Sequence, residues 1–236
     1  MAQDREAGAQ APAGGQAYVI RCRGLLFDMD GVLVDSRAVV ERTWYRWGAL
    51  RGVDPAPFLA IAHGRRVRDT LRAVTPEATA EAIAREVAWL DAAEAEDFEG
   101  ITAIAGARDF LAALPPGRWA MVTSAGRALA ARRLEAAGIP VPALIVSSED
   151  VVRGKPHPEG YLAGARMVEC ASGDCVVFED APVGVAAGVA AGARVVALAT
   201  SHAPHQLSGA VVVALDFTAV ALSRRGDDFF LEVSGL

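Results

Sequence analysis

Cysteine is scarce in this chain, long apolar runs are absent and basic residues never form a block, and each shortage excludes something. The three cysteines, Cys22, Cys170 and Cys175, form no CxxC motif and leave one unpaired. That excludes a disulfide framework and suits a reducing cytoplasm, with all three as small core or surface residues. No uninterrupted apolar run reaches the roughly 18 residues needed to cross a bilayer. Residues Met1 to Ala17 lack the positive start and continuous apolar stretch of a secretory signal, and are expected to form a disordered tail. With a net charge of −6 and no cluster of Lys or Arg, nothing offers a surface for nucleic-acid phosphates or anionic lipids. A small-molecule partner is expected instead, bound by a monomer or weak homodimer.

What is present is enough for a well-buried core: 236 residues, 53% of them apolar, make one large α/β domain, with or without a smaller inserted one. Short β-branched runs alternate with Ala/Leu/Arg stretches of helical spacing, which predicts strand-helix-strand units on a doubly wound parallel sheet. Strands are expected at Val19–Phe27, Trp119–Thr123, Leu144–Val146, Cys175–Phe178, Val195–Leu198 and Val211–Val213. Helices are expected at Arg127–Ala137, Glu159–Val168 and Pro182–Ala191, each flanked by Gly or Pro. The stretch between Phe27 and Trp119 has almost no strand signal. It reads as an insertion of several helices, a small cap over residues 37–100, so that the core comprises residues 18–36 and 101–236. Its junctions at Val34-Asp35-Ser36 and Gly100-Ile101-Thr102 are small or polar enough to hinge.

The chemistry gathers at strand ends. Leu25-Leu26-Phe27-Asp28-Met29-Asp30-Gly31 is an apolar strand closing in two carboxylates and a glycine, and in open parallel sheets the ligand crevice lies at the carboxyl ends of strands. Two acids beside a phosphate repel it and each other unless a cation neutralises them. Alone the pattern fits either catalysis or simple metal binding. Three later features narrow it. Thr123-Ser124-Ala125-Gly126 offers a hydroxyl and backbone N–H groups near a helix start, where a phosphate oxygen binds. Lys155 sits in the rigid stretch Gly154-Lys155-Pro156-His157-Pro158, which aims its ammonium. The strand ending at Phe178 is followed by Glu179-Asp180, hard oxygen ligands of the kind Mg²⁺ prefers.

In this order, DMDGVLVDS, VTSAG, GKPHPEGY and FEDAPVGVAAGVAAGA resemble the haloacid dehalogenase superfamily of phosphohydrolases, over about Val19 to Leu215. The helical insertion after the first motif is similar to the subgroup with a small α-helical cap. His63-Gly64-Arg65-Arg66, with GKPHPEGY and FEDAP, is similar to sugar- and glycerol-phosphate phosphatases. The resemblance implies an Mg²⁺-dependent phosphomonoester hydrolase for a small phosphorylated sugar or polyol. It makes Asp28 the nucleophile and Asp30 the general acid/base. It implies Mg²⁺ held by Asp28, the Asp30 carbonyl and Asp180, with Glu179 assisting, and phosphoryl oxygens bound by Thr123, Ser124 and Lys155. His63, Arg65 and Arg66 are cap residues for the rest of the substrate. The alternatives are a β-phosphoglucomutase-like phosphosugar mutase and a non-catalytic binding or regulatory module, though no motif is damaged. A dehalogenase would need neither Asp30 nor the metal ligands. Trp44, Tyr45 and Trp47 read as the cap's core, and Ala105-Gly106, where relatives often carry Pro-Gly, weakens the start of the next helix. Asp28→Asn is expected to abolish turnover while leaving the far-ultraviolet circular dichroism unchanged; wild-type-like turnover would overturn the assignment.

Overall fold

The computed structural model describes residues 17–236; the bulk of the expected tail, residues 1–16, lies outside the described residues. Ala17 opens β1 (Ala17–Cys22) and a bend at Arg23 separates it from β2 (Gly24–Phe27). The single strand expected over Val19–Phe27 is therefore two strands, and they lie in different sheets. Burial half-alternates along β1 and is complete along β2, which is the difference between a strand facing solvent on one side and one covered on both. At the bend the Arg23 N–H donates to the Asp174 carbonyl at 2.8 Å and its carbonyl accepts from the Arg118 guanidinium at 2.8 Å, so the interrupted backbone stays satisfied.

Between β3 (Val34–Asp35) and β4 (Thr102–Ala103) run α1 (Arg37–Arg51), α2 (Ala56–Ala62), α3 (Val67–Val74) and α4 (Ala80–Glu94). The sequence punctuates them locally: Gly52 ends α1 with φ 66°, Pro55 opens α2, and the Thr79 hydroxyl caps α4 by accepting from the Ala82 N–H. The four helices bury their own cluster of Trp44, Trp47, Phe58, Leu71, Ile83 and Leu90. Tyr45 is exposed rather than part of that core, because one step along a helix turns a side chain about 100° away from its neighbour. The two connections to the rest of the chain pair with each other, Val34 with Ala103 and Asp35 with Thr102, antiparallel.

The remainder is α5 (Ala107–Ala112), β5 (Trp119–Val122), α6 (Arg127–Ala136), β6 (Ile145–Val146), α7 (Glu159–Met167), β7 (Cys175–Glu179), α8 (Pro182–Ala190), β8 (Arg194–Leu198) and β9 (Val212–Ala214). The central sheet has the order β6-β5-β2-β7-β8-β9 and every pair in it is parallel. This is the expected doubly wound α/β architecture, with β2 and β7 side by side at its centre. Under their carboxyl ends Phe27 stacks on Phe178 at 5.0 Å between ring centres, joined by Phe110 and Phe217. Gly106, at φ 76°, starts α5 without the proline, and a Cβ there would lie 2.9 Å from the Phe217 backbone.

The chain ends in a hairpin that the sequence reading did not foresee, β10 (Val220–Arg225) and β11 (Asp228–Ser234). β11 pairs antiparallel with both β10 and β1, making a second sheet of order β1-β11-β10. Its signal was available in the alternating Phe229, Leu231 and Val233, all buried, behind a turn at Gly226. Among the described residues no helix is long and apolar enough to cross a membrane. Leu231, fully buried in the middle strand, is expected to cost about 2–5 kcal/mol on replacement by Ala. Urea unfolding checks this, and activity per folded molecule stays unchanged because the hairpin lies away from the catalytic strand ends.

Candidate active site

β2 delivers Asp28, whose N–H still donates to the Phe178 carbonyl at 3.1 Å, as a neighbour in the sheet would. The chain then leaves the strand: the N–H groups of Leu33 and Val34 both return to the Met29 carbonyl, at 2.8 and 2.9 Å. Gly31 makes the turn possible at φ 80°, and a Cβ on it would lie 1.9 Å from Asp180 Oδ2. Only glycine fits there. Asp28 is consequently buried, Asp30 is partly exposed, and both line a cavity of about 780 Å³ together with Asp180.

Three carboxylates and one lysine meet at the ends of β2 and β7. Oxygens of Asp28, Glu179 and Asp180 lie within 4.8 Å of one another. Lys155 Nζ sits 2.7 Å from Asp28 Oδ1 and 2.7 Å from Glu179 Oε1. Lys155 is the only lysine among the 23 basic residues of the chain. Glu179 also accepts from the Tyr161 hydroxyl at 2.5 Å and, through Oε2, from the backbone N–H groups of Asp180 and Ala181. Gly184 leaves room for it, since a Cβ would stand 1.8 Å from Glu179 Oε1. Burial opposes the charged lysine, but Asp28 and Glu179 outweigh it and raise the Lys155 pKa. One ammonium does not balance three acids. Burial first, and Glu179 among its neighbours, push Asp28 up to about 7 despite the lysine. Burial, Glu179 and Asp28 raise Asp180 well above the ordinary range.

A divalent cation fits this cluster. Asp180 Oδ1 is buried with no hydrogen-bond partner, while its Oδ2 accepts from the Ser201 hydroxyl, so one oxygen is oriented and the other is available. Hard oxygen donors crowded together without enough positive charge are the donor set of Mg²⁺ or Ca²⁺ rather than of a thiophilic metal.

The other sequence-predicted residues converge on the same place. Thr123 and Ser124 follow β5; the Thr123 hydroxyl accepts from the Ala125 N–H at 3.0 Å, and the Ser124 hydroxyl donates to the Gly64 carbonyl at 2.8 Å. Ser124 thus ties the helical insertion to the sheet. His63, Arg65 and Arg66 line the cavity from the opposite side. They differ in what they are free to do. Arg66 is engaged with Asp69 at 2.6 Å and with the Val152 carbonyl at 3.2 Å. The Arg65 guanidinium has no hydrogen bond or ion pair among the described residues. His63 faces His202 edge-on with ring centres 5.9 Å apart, and burial lowers its pKa, favouring the neutral ring.

Sequence reasoning missed four residues. Ser36 donates to Asp30 Oδ1 at 2.5 Å, and Arg133 Nη1 donates to the same oxygen at 3.0 Å. Glu94, the last residue of α4, accepts from Arg133 Nη2 at 3.0 Å, and Tyr161 holds Glu179. For Arg133 and Glu94 a signal existed: each is a charge on an otherwise apolar helix stripe, Ala130-Arg133-Leu134-Ala137 and Ile83-Leu90-Glu94.

Comparison with known proteins points one way. The profile of the haloacid dehalogenase-like hydrolases matches residues 22–192. Hexitol phosphatase A of Escherichia coli is 44% identical over 181 residues, covering 76% of this chain and 84% of the relative. Glycerol-1-phosphate phosphohydrolase 2 of Saccharomyces cerevisiae is 31% identical, covering 77% of this chain and 76% of the relative. Among solved structures, a hydrolase from Pseudomonas syringae superimposes with a TM-score of 0.75 at 25% identity, over 83% of this chain and 94% of that one.

The raised carboxyls set a pH dependence. Without a cation, folded Asp28 keeps a proton that the unfolded chain has released between the ordinary carboxylate range and about 7. The folded state then binds more protons than the unfolded one, so this contribution to stability is lost as pH rises through that window. A divalent cation competes with those protons. The stability gained on adding one, read as the shift in thermal midpoint, is therefore expected to grow as pH rises from 5 to 8; a shift that shrinks with pH would contradict the assignment.

Proposed function

The chain belongs to the haloacid dehalogenase-like hydrolases and is a phosphatase, and from that premise we propose that it is an Mg²⁺-dependent phosphomonoesterase acting on a small phosphorylated sugar or polyol through an aspartyl-phosphate at Asp28. The observation that carries the reading is the convergence of Asp28, Lys155 and Asp180 at the ends of neighbouring strands under one cavity. Asp30 stands two residues on at the same opening.

Mg²⁺ would be held by Asp28, the Asp30 carbonyl and Asp180, with Glu179 assisting directly or through water, and supplies the positive charge that lets a carboxylate approach a phosphate. The protein's own residues do the rest. Lys155 is held by Glu179 at one side of Asp28, so it neutralises a phosphoryl oxygen while Asp28 attacks phosphorus. The Thr123 hydroxyl and the Ser124 N–H orient the remaining phosphoryl oxygens. Asp30 donates a proton to the departing alkoxide, forming the alcohol as the P–O bond breaks. It then takes a proton from the water that attacks the aspartyl-phosphate, releasing phosphate and restoring Asp28.

The helical unit over residues 37–100 serves as a cap, joined through the paired linkers and resting on the core through Ser124, Arg66 and Arg133. Under it the wall contributed by α4 includes Asp91, whose pKa burial raises. Carboxyl groups there accept hydroxyl hydrogens and repel a second phosphate, favouring the monophosphate of a polyhydroxy alcohol. Arg65 is the free cap cation for a polar group of that alcohol. The named activities of the relatives from E. coli and S. cerevisiae, on hexitol and glycerol phosphates, support the same class. The three free thiols, two of them buried, support a cytoplasmic setting.

The purified protein with Mg²⁺ is expected to release phosphate from hexitol, hexose or glycerol phosphates in preference to phosphoglycolate, and to lose that activity in EDTA. Conversion of β-glucose 1-phosphate to its isomer without phosphate release would make it a mutase instead. Retention of full activity in EDTA would overturn the metal requirement.

A further inference from the structure

Arg133 is 3% exposed and Glu94 5% exposed, yet they come from opposite sides of the cleft. Arg133 stands on α6 of the core, and Glu94 ends α4 of the helical insertion. Its two terminal nitrogens reach Asp30 Oδ1 and Glu94 Oε2, each at 3.0 Å. A guanidinium is suited to this, because its planar fork spans two carboxylates at a fixed separation, which one lysine ammonium does not. Burial lowers the Arg133 pKa, but the two carboxylates outweigh it and raise it, so the bridge remains charged. Arg133 Nε is buried and unpartnered. A well-packed structural ion pair would satisfy that group; here the geometry serves the two ends instead.

Both of the side-chain hydrogen bonds to Asp30, from Ser36 and from Arg133, fall on Oδ1. That leaves Oδ2, without a protein partner among the described residues, as the oxygen that carries the proton. Ser36 lies at the junction just before α1, so two separate points of the helical unit's attachment end on one carboxylate oxygen.

We propose that Arg133 and Glu94 are positioning residues that suspend the Asp30 carboxyl from the cap, so that its proton-bearing oxygen is aimed at the leaving group only while α4 is seated on the core. This rests on Asp30 being the acid/base of the proposed reaction. Seating α4 brings Glu94 to Arg133, Arg133 fixes Oδ1, and Oδ2 is thereby directed. Proton transfer is linked to closure, and in the open state the phosphoenzyme's attacking water has no aligned base.

The test compares leaving groups. The best sugar or polyol phosphate of the panel departs as an alkoxide and needs a proton, whereas 4-nitrophenyl phosphate departs as a stable phenolate and does not. Because kcat/KM reports steps up to departure of the leaving group, it isolates that proton transfer. In Arg133→Met, kcat/KM for the alkyl phosphate is expected to fall by about 10²-fold, and that for 4-nitrophenyl phosphate by only a few-fold. Glu94→Gln, which keeps shape but removes the charge that anchors Arg133 to α4, is expected to give the same selectivity at smaller size. The double variant Arg133→Met/Glu94→Gln leaves neither charge buried alone; with a wild-type-like thermal midpoint it separates positioning from loss of fold. Equal losses on both substrates in that folded double variant, or no leaving-group dependence in Glu94→Gln, would overturn the inference. Asp30→Asn is the control for the underlying reading. If it shows the leaving-group dependence and Arg133→Met does not, only the inference fails; if Asp30→Asn shows none, the acid/base assignment itself fails.

Discussion

The site depends on one buried ammonium between two buried carboxylates. Lys155 Nζ, 2.7 Å from both Asp28 and Glu179, lets a nucleophilic acid stand at the end of an apolar strand above four phenylalanine rings. Without a counter-charge, an ionised carboxylate in that position would take up a proton and lose its nucleophilicity. Much of the surrounding sequence serves this contact. Tyr161 and two backbone N–H groups hold Glu179, Gly184 makes space for it, and Gly31 lets Asp180 come up against the loop that carries Asp30.

The lysine balances only part of the acidity, and the remainder is what makes the cluster a cation site. Asp28 and Asp180 are both raised by burial and by neighbouring acids, and one Asp180 oxygen is left without a partner. These are features that would merely cost stability in a structural role. Residues that break local rules without a packing gain belong to function, and here the broken rules gather at two adjacent strand ends.

Across the cleft a second charge arrangement, Asp30-Arg133-Glu94, works on geometry more than on stability. Buried ion pairs contribute little net stability because desolvation offsets the attraction. Their value lies in being specific about which surfaces meet. The insertion has its own apolar core, so it is able to move as a body, and its polar attachments to the sheet, Ser124 to Gly64 and Arg66 to Val152 among them, are few and directional. Such an interface is suited to opening and closing without repacking.

The sequence by itself determined the order of elements and the positions of Asp28, Asp30, Thr123, Ser124, Lys155, Glu179 and Asp180 at strand ends. Those facts are written in local periodicity, in turn residues and in the rule that a parallel sheet presents its carboxyl ends to ligand. It misplaced what depends on chain path. The split of Val19–Phe27 between two sheets follows from β11, which pairs Ala17 with Ser234 across nearly the whole chain. Tyr45 was grouped with two buried tryptophans because composition does not say which way a helix face points. Arg133 meets Asp30 from 103 residues away, and in sequence it is one of three arginines on a helix whose other two give no sign of being different. A charge on an apolar stripe is either a solvated edge or half of a buried pair, and only the tertiary structure decides, because only it brings the partner's opposite charge within reach and removes the water between them.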